Sequence, residues 1–347
     1  MLHQITKSIM VFLFSLAAVA ANAAIPNTPL QWSREAVNDN GQAVEHITIR
    51  GKNGGYDTFV RFSLANAGFK RGELAVTFIQ ESSLGKLYGQ QTFARDDYTV
   101  AGDRLSIRAG KHSLEVQGGV LVANFDFGDL KANLTATAYA APLQVSDRRG
   151  GDFIMRDLLM PIGKIAIKGS TGGTPFEMTS TGFVVHEAST ATAHKVYDRM
   201  IQLHNPSAGT FEVVDYIVLP AERGGRPLGF VVLSSKGKTF VGEVTKEMRE
   251  SEKVDEAMDY RVPYQVTVLA KRGEARAAIR LAGEKQVKRE DDLADLNWAA
   301  RKAISTFIHP ITYTIKGTAT AEVQATAAEE AVVFDAINIR YKYAQAH

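Results

Sequence analysis

The sequence lacks cysteine altogether and has little surplus of charge. With no cysteine among its 347 residues, the chain cannot form disulfide bonds, use a thiolate nucleophile or bind a metal through sulfur. Its 40 Lys and Arg nearly balance 38 Asp and Glu. Because so even a balance produces no long-range field to attract polyanions, no nucleic-acid partner is predicted.

Apolar runs long enough to span a bilayer are also missing. The longest run, from Ile9 to Ala20, falls short of the roughly 20 apolar residues that a spanning helix needs. It follows a short start that ends at Lys7, and small residues come after it. This pattern predicts a signal peptide over residues 1–23, cleaved near Ala23, and a periplasmic or secreted protein.

Alternation of apolar and polar residues dominates the rest of the chain. Apolar residues share one face of each of two early segments: Val60, Phe62 and Leu64, then Leu74, Val76 and Phe78. Glycine-containing turn signals separate such segments, as at Gly118-Gly119. Many short strands with turns between them are typical of antiparallel sandwiches and barrels, so the predicted fold class is mainly β.

Interruptions of this pattern predict the domain organisation. Residues 142–151 break the alternation, which predicts two packed antiparallel β domains, at 24–145 and 146–347. In the second, apolar residues recur at three- and four-residue steps over 291–308, which predicts one late amphipathic helix ending before Pro310. The mixed-charge run 246–261 predicts a solvated loop or a short surface helix, with a partner-binding helix as the alternative.

A transmembrane barrel is the rival interpretation of a signal peptide followed by alternating strands. Its strands need about 9–11 residues with continuous lipid-facing apolar rows. Many strands here carry charge on one face and only short apolar rows on the other. We therefore expect a protein outside the bilayer, with peripheral membrane contact as an open possibility.

Several segments, in this order, resemble the lipocalin-like (calycin) double-domain family that includes hydroxyneurosporene synthase (carotenoid hydratase) and survival-factor-type proteins. They include YDTFVRFSLANAG from Tyr56, YGQQTFARDDYTV from Tyr88, MPIGKIAIKG from Met160 and STGFVVHEAST from Ser180. The resemblance implies two calycin-like domains with an apolar ligand in a barrel mouth or between them. The chain departs from the hydratases after Gly182, where they carry an Asp-His-Asn-Trp-like run.

The densest group of ionisable residues runs from His186 to His204. We predict His186 and Glu187 as a catalytic pair, because a histidine beside a carboxylate can move protons, and burial raises the pKa of a carboxyl group. A buried hydrogen-bond network at the domain junction is the structural alternative. The gaps between the histidines, including His194, match no common zinc spacing, so no metal and no cofactor are predicted.

Aromatic and cationic residues near these segments are the predicted ligand contacts: Tyr88, Phe93, Tyr98, Tyr197 and Arg199. Sites for apolar molecules combine ring surfaces with a few polar groups. The leading hypothesis is an exported lipocalin-like protein that binds a lipid or isoprenoid-like small molecule. The alternatives are an enzyme of the carotenoid hydratase type, which protonates or cyclises an apolar substrate with a buried acid, and a scaffold for another envelope protein.

Overall fold

The structure is a computed structural model of the chain. It describes residues 23–31, 43–53, 55–67, 70–83, 85–191, 195–207, 210–235, 237–292, 294, 309–326 and 331–346. The predicted signal peptide, except for Ala23, and almost all of the predicted helix over 291–308 lie outside the described residues. Within those residues, no helix has the length and apolar character needed to cross a membrane.

The first unit is a twelve-stranded antiparallel sheet. Its strands are β1 (Ala43–Lys52), β2 (Tyr56–Ala67), β3 (Lys70–Ser82), β4 (Gly85–Phe93), β5 (Tyr98–Val100), β6 (Ser106–Ala109), β7 (His112–Gln117), β8 (Val120–Asp126), β9 (Leu130–Ala138), β10 (Ser146–Arg149), β11 (Asp152–Thr171) and β12 (Thr174–Ser189). They follow the order β4-β3-β2-β1-β12-β11-β9-β8-β7-β6-β5, with β10 beside β11. The pairing of β1 with β12 brings together segments that are far apart in sequence.

The second unit is a closed antiparallel barrel of eight strands in sequence order. The strands are β13 (Arg199–Ser207), β14 (Thr210–Val218), β15 (Pro227–Ser235), β16 (Lys238–Asp255), β17 (Tyr260–Arg272), β18 (Ala275–Asp291), β19 (Ile311–Gln324) and β20 (Val332–Gln345). Tyrosines, including Tyr216 and Tyr343, belong to its buried core. Barrels of eight strands enclose a space that side chains can fill.

The predicted fold class is confirmed, since both units are antiparallel and nearly all β. Val60, Phe62 and Leu64 are buried in the first core, as their shared face predicts. The last strand of the first sheet ends at Ser189, and the first strand of the barrel begins at Arg199. The predicted domain boundary at 145 and 146 precedes this point and stays a prediction.

The interpretation of 246–261 as a loop or surface helix is wrong. Strand β16 continues to Asp255 and pairs with β17 through register shifts, and β17 begins at Tyr260. Ion pairs join its charged side chains to one another and to neighbouring strands, as between Arg249 and Glu252 at 2.8 Å. Paired charges and a solvated outer face allow a strand where composition alone indicated a loop.

An extended segment, residues 23–31, lies against the first sheet. Ala23 forms a bridge with Ala138, and the Ile25 amide donates a hydrogen bond to the Gly119 carbonyl at 2.9 Å. The Ile25 side chain is buried. Gly119 has φ +82, and a Cβ there would lie 2.9 Å from Ala24 Cβ, so both its backbone conformation and this close approach require glycine.

Candidate functional site

The two units meet through apolar side chains from β11, β12, β14, β15 and β16. One buried cluster combines Leu158, Ile162, Phe183 and Val185 of the first unit with Val213, Phe230, Val232 and Val241 of the barrel. A second, built around Ile154, Ile217 and Leu228, continues the contact. Burial of this much apolar surface holds the units together and excludes water from polar groups between them.

The alternation of side chains along β1 and β12 separates two sets of polar residues. Ile47 on β1 and Val184 on β12 belong to the core of the first unit. Successive residues of a strand point to opposite faces. Glu45 and His186 therefore point into the first unit, whereas His46 and Glu187 point toward the barrel.

The inward pair is closed to solvent. His186 Nε2 lies 2.5 Å from Glu45 Oε1, and both residues are at most 2% exposed. The same carboxylate oxygen accepts the Gln31 amide at 2.7 Å. On β11, Asp157 is opposite His186; burial raises the Asp157 pKa, and nearby His186 opposes that rise. These contacts tie the 23–31 segment to the sheet.

The outward pair belongs to a buried ionic cluster that joins the two units. Arg156, on β11, donates from Nε to Glu187 Oε1 at 2.8 Å and from a terminal nitrogen, Nη2, to Asp215 Oδ1 on β14 at 2.6 Å. Its guanidinium also lies 5.8 Å from the centre of the Phe230 ring. Gln202 donates to the other Asp215 oxygen at 3.2 Å. Arg156 is thus held by carboxylates of both units.

This cluster fixes the ionisation of Glu187. Burial opposes the charged form, but the charges of Arg156, His46 and Arg61 outweigh it and lower the Glu187 pKa to about 2. A carboxyl group with so low a pKa is a carboxylate near neutral pH and cannot donate a proton there. His46 lies directly opposite Glu187 in the β1–β12 ladder, where paired residues have Cα atoms about 4.5–5.5 Å apart.

A partly open pocket of about 260 Å³ lies beside this cluster. Its polar lining includes His46, Arg156 and Glu187, and its other lining residues are mainly apolar: Ala43, Val44, Ile154, Met155, Ala188, Ala191, Val196 and Ile217. Small apolar pockets with a few convergent polar groups are typical of ligand and active sites. The combination of imidazole, carboxylate and guanidinium allows proton transfer to or from a bound apolar molecule.

The two predicted catalytic residues lie on opposite faces of one strand. Glu187 lines the pocket, whereas His186 points into the first unit, paired with Glu45. Sequence reasoning missed His46, Arg156 and Asp215. The dipeptides Glu45-His46 and His186-Glu187 were visible in the sequence, but only the pairing of β1 with β12 puts His46 opposite Glu187.

The predicted ligand contacts are dispersed. Tyr88 is 55% exposed, Phe93 belongs to the first core, and Tyr98 donates to the Gly72 carbonyl at 2.9 Å. Arg199 pairs with Glu247 at 3.1 Å and with Asp198 at 2.7 Å. None of these four is among the residues that line the pocket beside Arg156.

Tyr197 is the predicted contact that packs beside the pocket. It packs against the cluster that contains the pocket residues Ile154, Ala191 and Ile217. Burial, with Asp292 and Tyr260 nearby, raises the Tyr197 pKa to about 12. Its hydroxyl therefore stays protonated at neutral pH.

Fold and site together define a two-unit antiparallel β protein with a charged pocket between its units. No family model matches the sequence. No curated protein matches it either. The crystal structure of CghA is similar, with a TM-score of 0.54 and 8% identity over 94% of this chain and 96% of CghA. At that identity, the likeness concerns the fold alone.

Two further crystal structures align over similar lengths with lower scores. A protein described as an ATTH from Nitrosomonas europaea has a TM-score of 0.47 at 10% identity, covering 92% of this chain and 98% of its own. Kievitone hydratase from Nectria haematococca has a TM-score of 0.39 at 11% identity, covering 93% of this chain and 97% of its own.

Proposed function

We propose that the protein binds a small, mainly apolar molecule between its two units and that His46 transfers a proton to or from it. The observation that carries the proposal is that His46, Glu187 and Arg156 converge on a pocket whose remaining walls are mostly apolar. Since a cavity of about 150 Å³ holds benzene, a pocket of about 260 Å³ suits roughly ten heavy atoms, which is a small ligand or one ring system of a larger one.

The roles follow from charge. The carboxylate of Glu187 stabilises an imidazolium at His46, as an acidic partner does for a catalytic histidine. In a hydration, His46 would give its proton to one carbon of a substrate double bond. A water molecule would then add to the resulting cation, and the proton that this water releases would return to His46. The proposal draws on the resemblance to carotenoid hydratases. It also includes the export predicted from residues 1–23.

Binding is tested with the neutral fluorescent probe N-phenyl-1-naphthylamine. We expect its fluorescence to rise on binding to the wild-type protein and to lose most of that rise in Ala191→Phe, because the new ring fills the pocket. Tyr88→Ala, remote from the pocket, is the matched control and should bind as wild type does. Equal binding by Ala191→Phe and wild type would place the probe elsewhere and reject the pocket.

Proton transfer is tested by deuterium incorporation from D₂O into a panel of short isoprenoid alkenes and enones. We expect the wild-type protein to label at least one compound, and His46→Asn to slow labelling by about 10²–10⁴-fold, the usual contribution of a general acid or base. Retained labelling in His46→Asn would reject His46. Probe binding without any labelling would reject the catalytic half of the proposal and leave a binding protein.

A further inference from the structure

Asp215 belongs to the barrel, yet it contacts the arginine that holds the pocket carboxylate. Asp215 Oδ1 accepts from Arg156 at 2.6 Å, and the same guanidinium donates through Nε to Glu187 at 2.8 Å. Asp215 does not line the pocket itself. Its contact with the pocket lining is its ion pair with Arg156.

The planar geometry of Arg156 lets a contact on one side of the guanidinium orient the donors on its other sides. A guanidinium is planar and presents its donors in a fixed fork, so fixing one edge fixes the orientation of the others. Arg156 is 4% exposed and also donates to the Leu228 carbonyl at 3.4 Å. Gln202 in turn holds the second Asp215 oxygen. The barrel thus supplies the frame that orients Arg156.

We propose that Asp215 is a positioning residue: it holds Arg156 so that the guanidinium fixes the Glu187 carboxylate in place opposite His46. The site in the first unit is then incomplete without the barrel. The inference builds on the proposed function, but its first consequence is a change in the titration of His46, which needs no substrate.

Charged groups near His46 lie on β2, β11, β12 and β14. Glu187 on β12 lies opposite it, Arg61 on β2 and Arg156 on β11 act on the same carboxylate, and Asp215 on β14 balances Arg156. If Asp215 loses its charge, the net negative charge around His46 falls, and Arg156 is left with Glu187 as its carboxylate partner. Both changes disfavour the imidazolium, so the pKa of His46 must fall.

A second cross-unit cluster provides a matched control. Asp147, on β10, accepts from Arg223 at 3.2 Å and from Arg226 at 2.9 Å, and it is as buried as Arg156. Asp147→Asn removes the same charge by the same substitution and weakens the same junction of the two units. None of these three residues lines the pocket.

The experiment is an NMR titration of the histidine side chains in the full-length mature protein, without ligand. We expect Asp215→Asn to lower the His46 midpoint by about half a pH unit or more, Asp215→Glu to recover part of it, and Gln202→Leu to give a smaller shift in the same direction. Asp147→Asn should leave His46 unchanged even if it lowers stability.

Two results would overturn the positioning role. One is a His46 midpoint that is the same in Asp215→Asn as in the wild-type protein. The other is an equal shift in Asp147→Asn, which would show that any loosening of the junction suffices. Either result leaves the binding and labelling experiments unaffected, so the two proposals fail independently. Should Asp215→Asn not fold, the Gln202→Leu titration decides the question in the same way.

Discussion

Two acid–imidazole pairs lie side by side on β1 and β12, yet their surroundings differ completely. Glu45 and His186 are sealed inside the first unit, and the 23–31 segment donates to the same carboxylate. His46 and Glu187 face a pocket between the units, beside an arginine shared with the barrel. The same residue types therefore form a sealed pair on one face of the strands and, in our proposal, the proton-transfer pair on the other.

The largest expected effect distinguishes the two histidines by stability. His186→Ala leaves the buried Glu45 carboxyl group without its imidazole partner, which costs about 3–5 kcal/mol. His46 lines a partly open pocket, so His46→Ala should lower the free energy of unfolding by less than about 1 kcal/mol. Urea unfolding at neutral pH measures both. Equal losses in the two variants would mean that the pairs do not differ in role.

The next effect concerns the stability that the outward carboxylate, Glu187, contributes as the pH falls. Because the folded-state pKa of Glu187 is about 2, below its ordinary 4.5, its stabilisation is present above pH 4.5 and is lost as pH falls toward 2. The loss is on the order of a few kcal/mol. Glu187→Gln should remove that part of the pH dependence of the unfolding free energy between pH 6 and 3.

Glu177→Gln is the control for this measurement. Glu177 pairs with Lys168 at 3.0 Å on the surface, with both side chains mostly exposed, and such pairs contribute little. The unfolding free energy of Glu177→Gln should show the same pH dependence as that of the wild-type protein. A Glu187→Gln curve parallel to wild type would contradict the ionised cluster.

Near the inward pair, Asp157 gives the unfolding free energy a second dependence on pH. Burial raises the pKa of Asp157, so its folded form favours the protonated acid and loses stability as pH rises through that pKa. Asp157→Asn should flatten this decline, by less than the effect of Glu187→Gln because nearby His186 opposes the shift. Denaturant unfolding between pH 4 and 7 checks it. A steeper decline in the variant would contradict the sign.

The smallest effect is expected where sequence reasoning placed a ligand contact far from either pair. Tyr88 lies on β4, more than half exposed. Tyr88→Ala should change the unfolding free energy by no more than about 0.5 kcal/mol and leave probe fluorescence unchanged. A large loss of probe binding would move the ligand site to the first sheet.

Particular residues show how much of the fold could be predicted from the sequence. The alternation at Val60, Phe62 and Leu64 predicted both a strand and its buried face, because period 2 is a local property. The extension of β16 to Asp255 was missed, since the charged residues that suggested a loop are neutralised by neighbours on the same and other strands.

Only part of the candidate site could be predicted from the sequence, because its contacts join residues that are far apart along the chain. Glu187 was found by composition, but its partner His46 is 141 residues away in sequence and opposite it only in the β1–β12 register. Arg156 and Asp215 meet across the junction of two units. Neither contact leaves a local pattern, and adjacency in sequence suggested His186 and Glu187 as a pair although neighbours in a strand face opposite ways.

The most direct test of the difference between the two pairs is an NMR spectrum of the histidine side chains recorded with and without N-phenyl-1-naphthylamine. The His46 resonances should shift as the probe fills the pocket, while those of His186 stay in place. Probe binding that moves His186, or that leaves His46 unmoved, would contradict a ligand site on the outward face of β1 and β12.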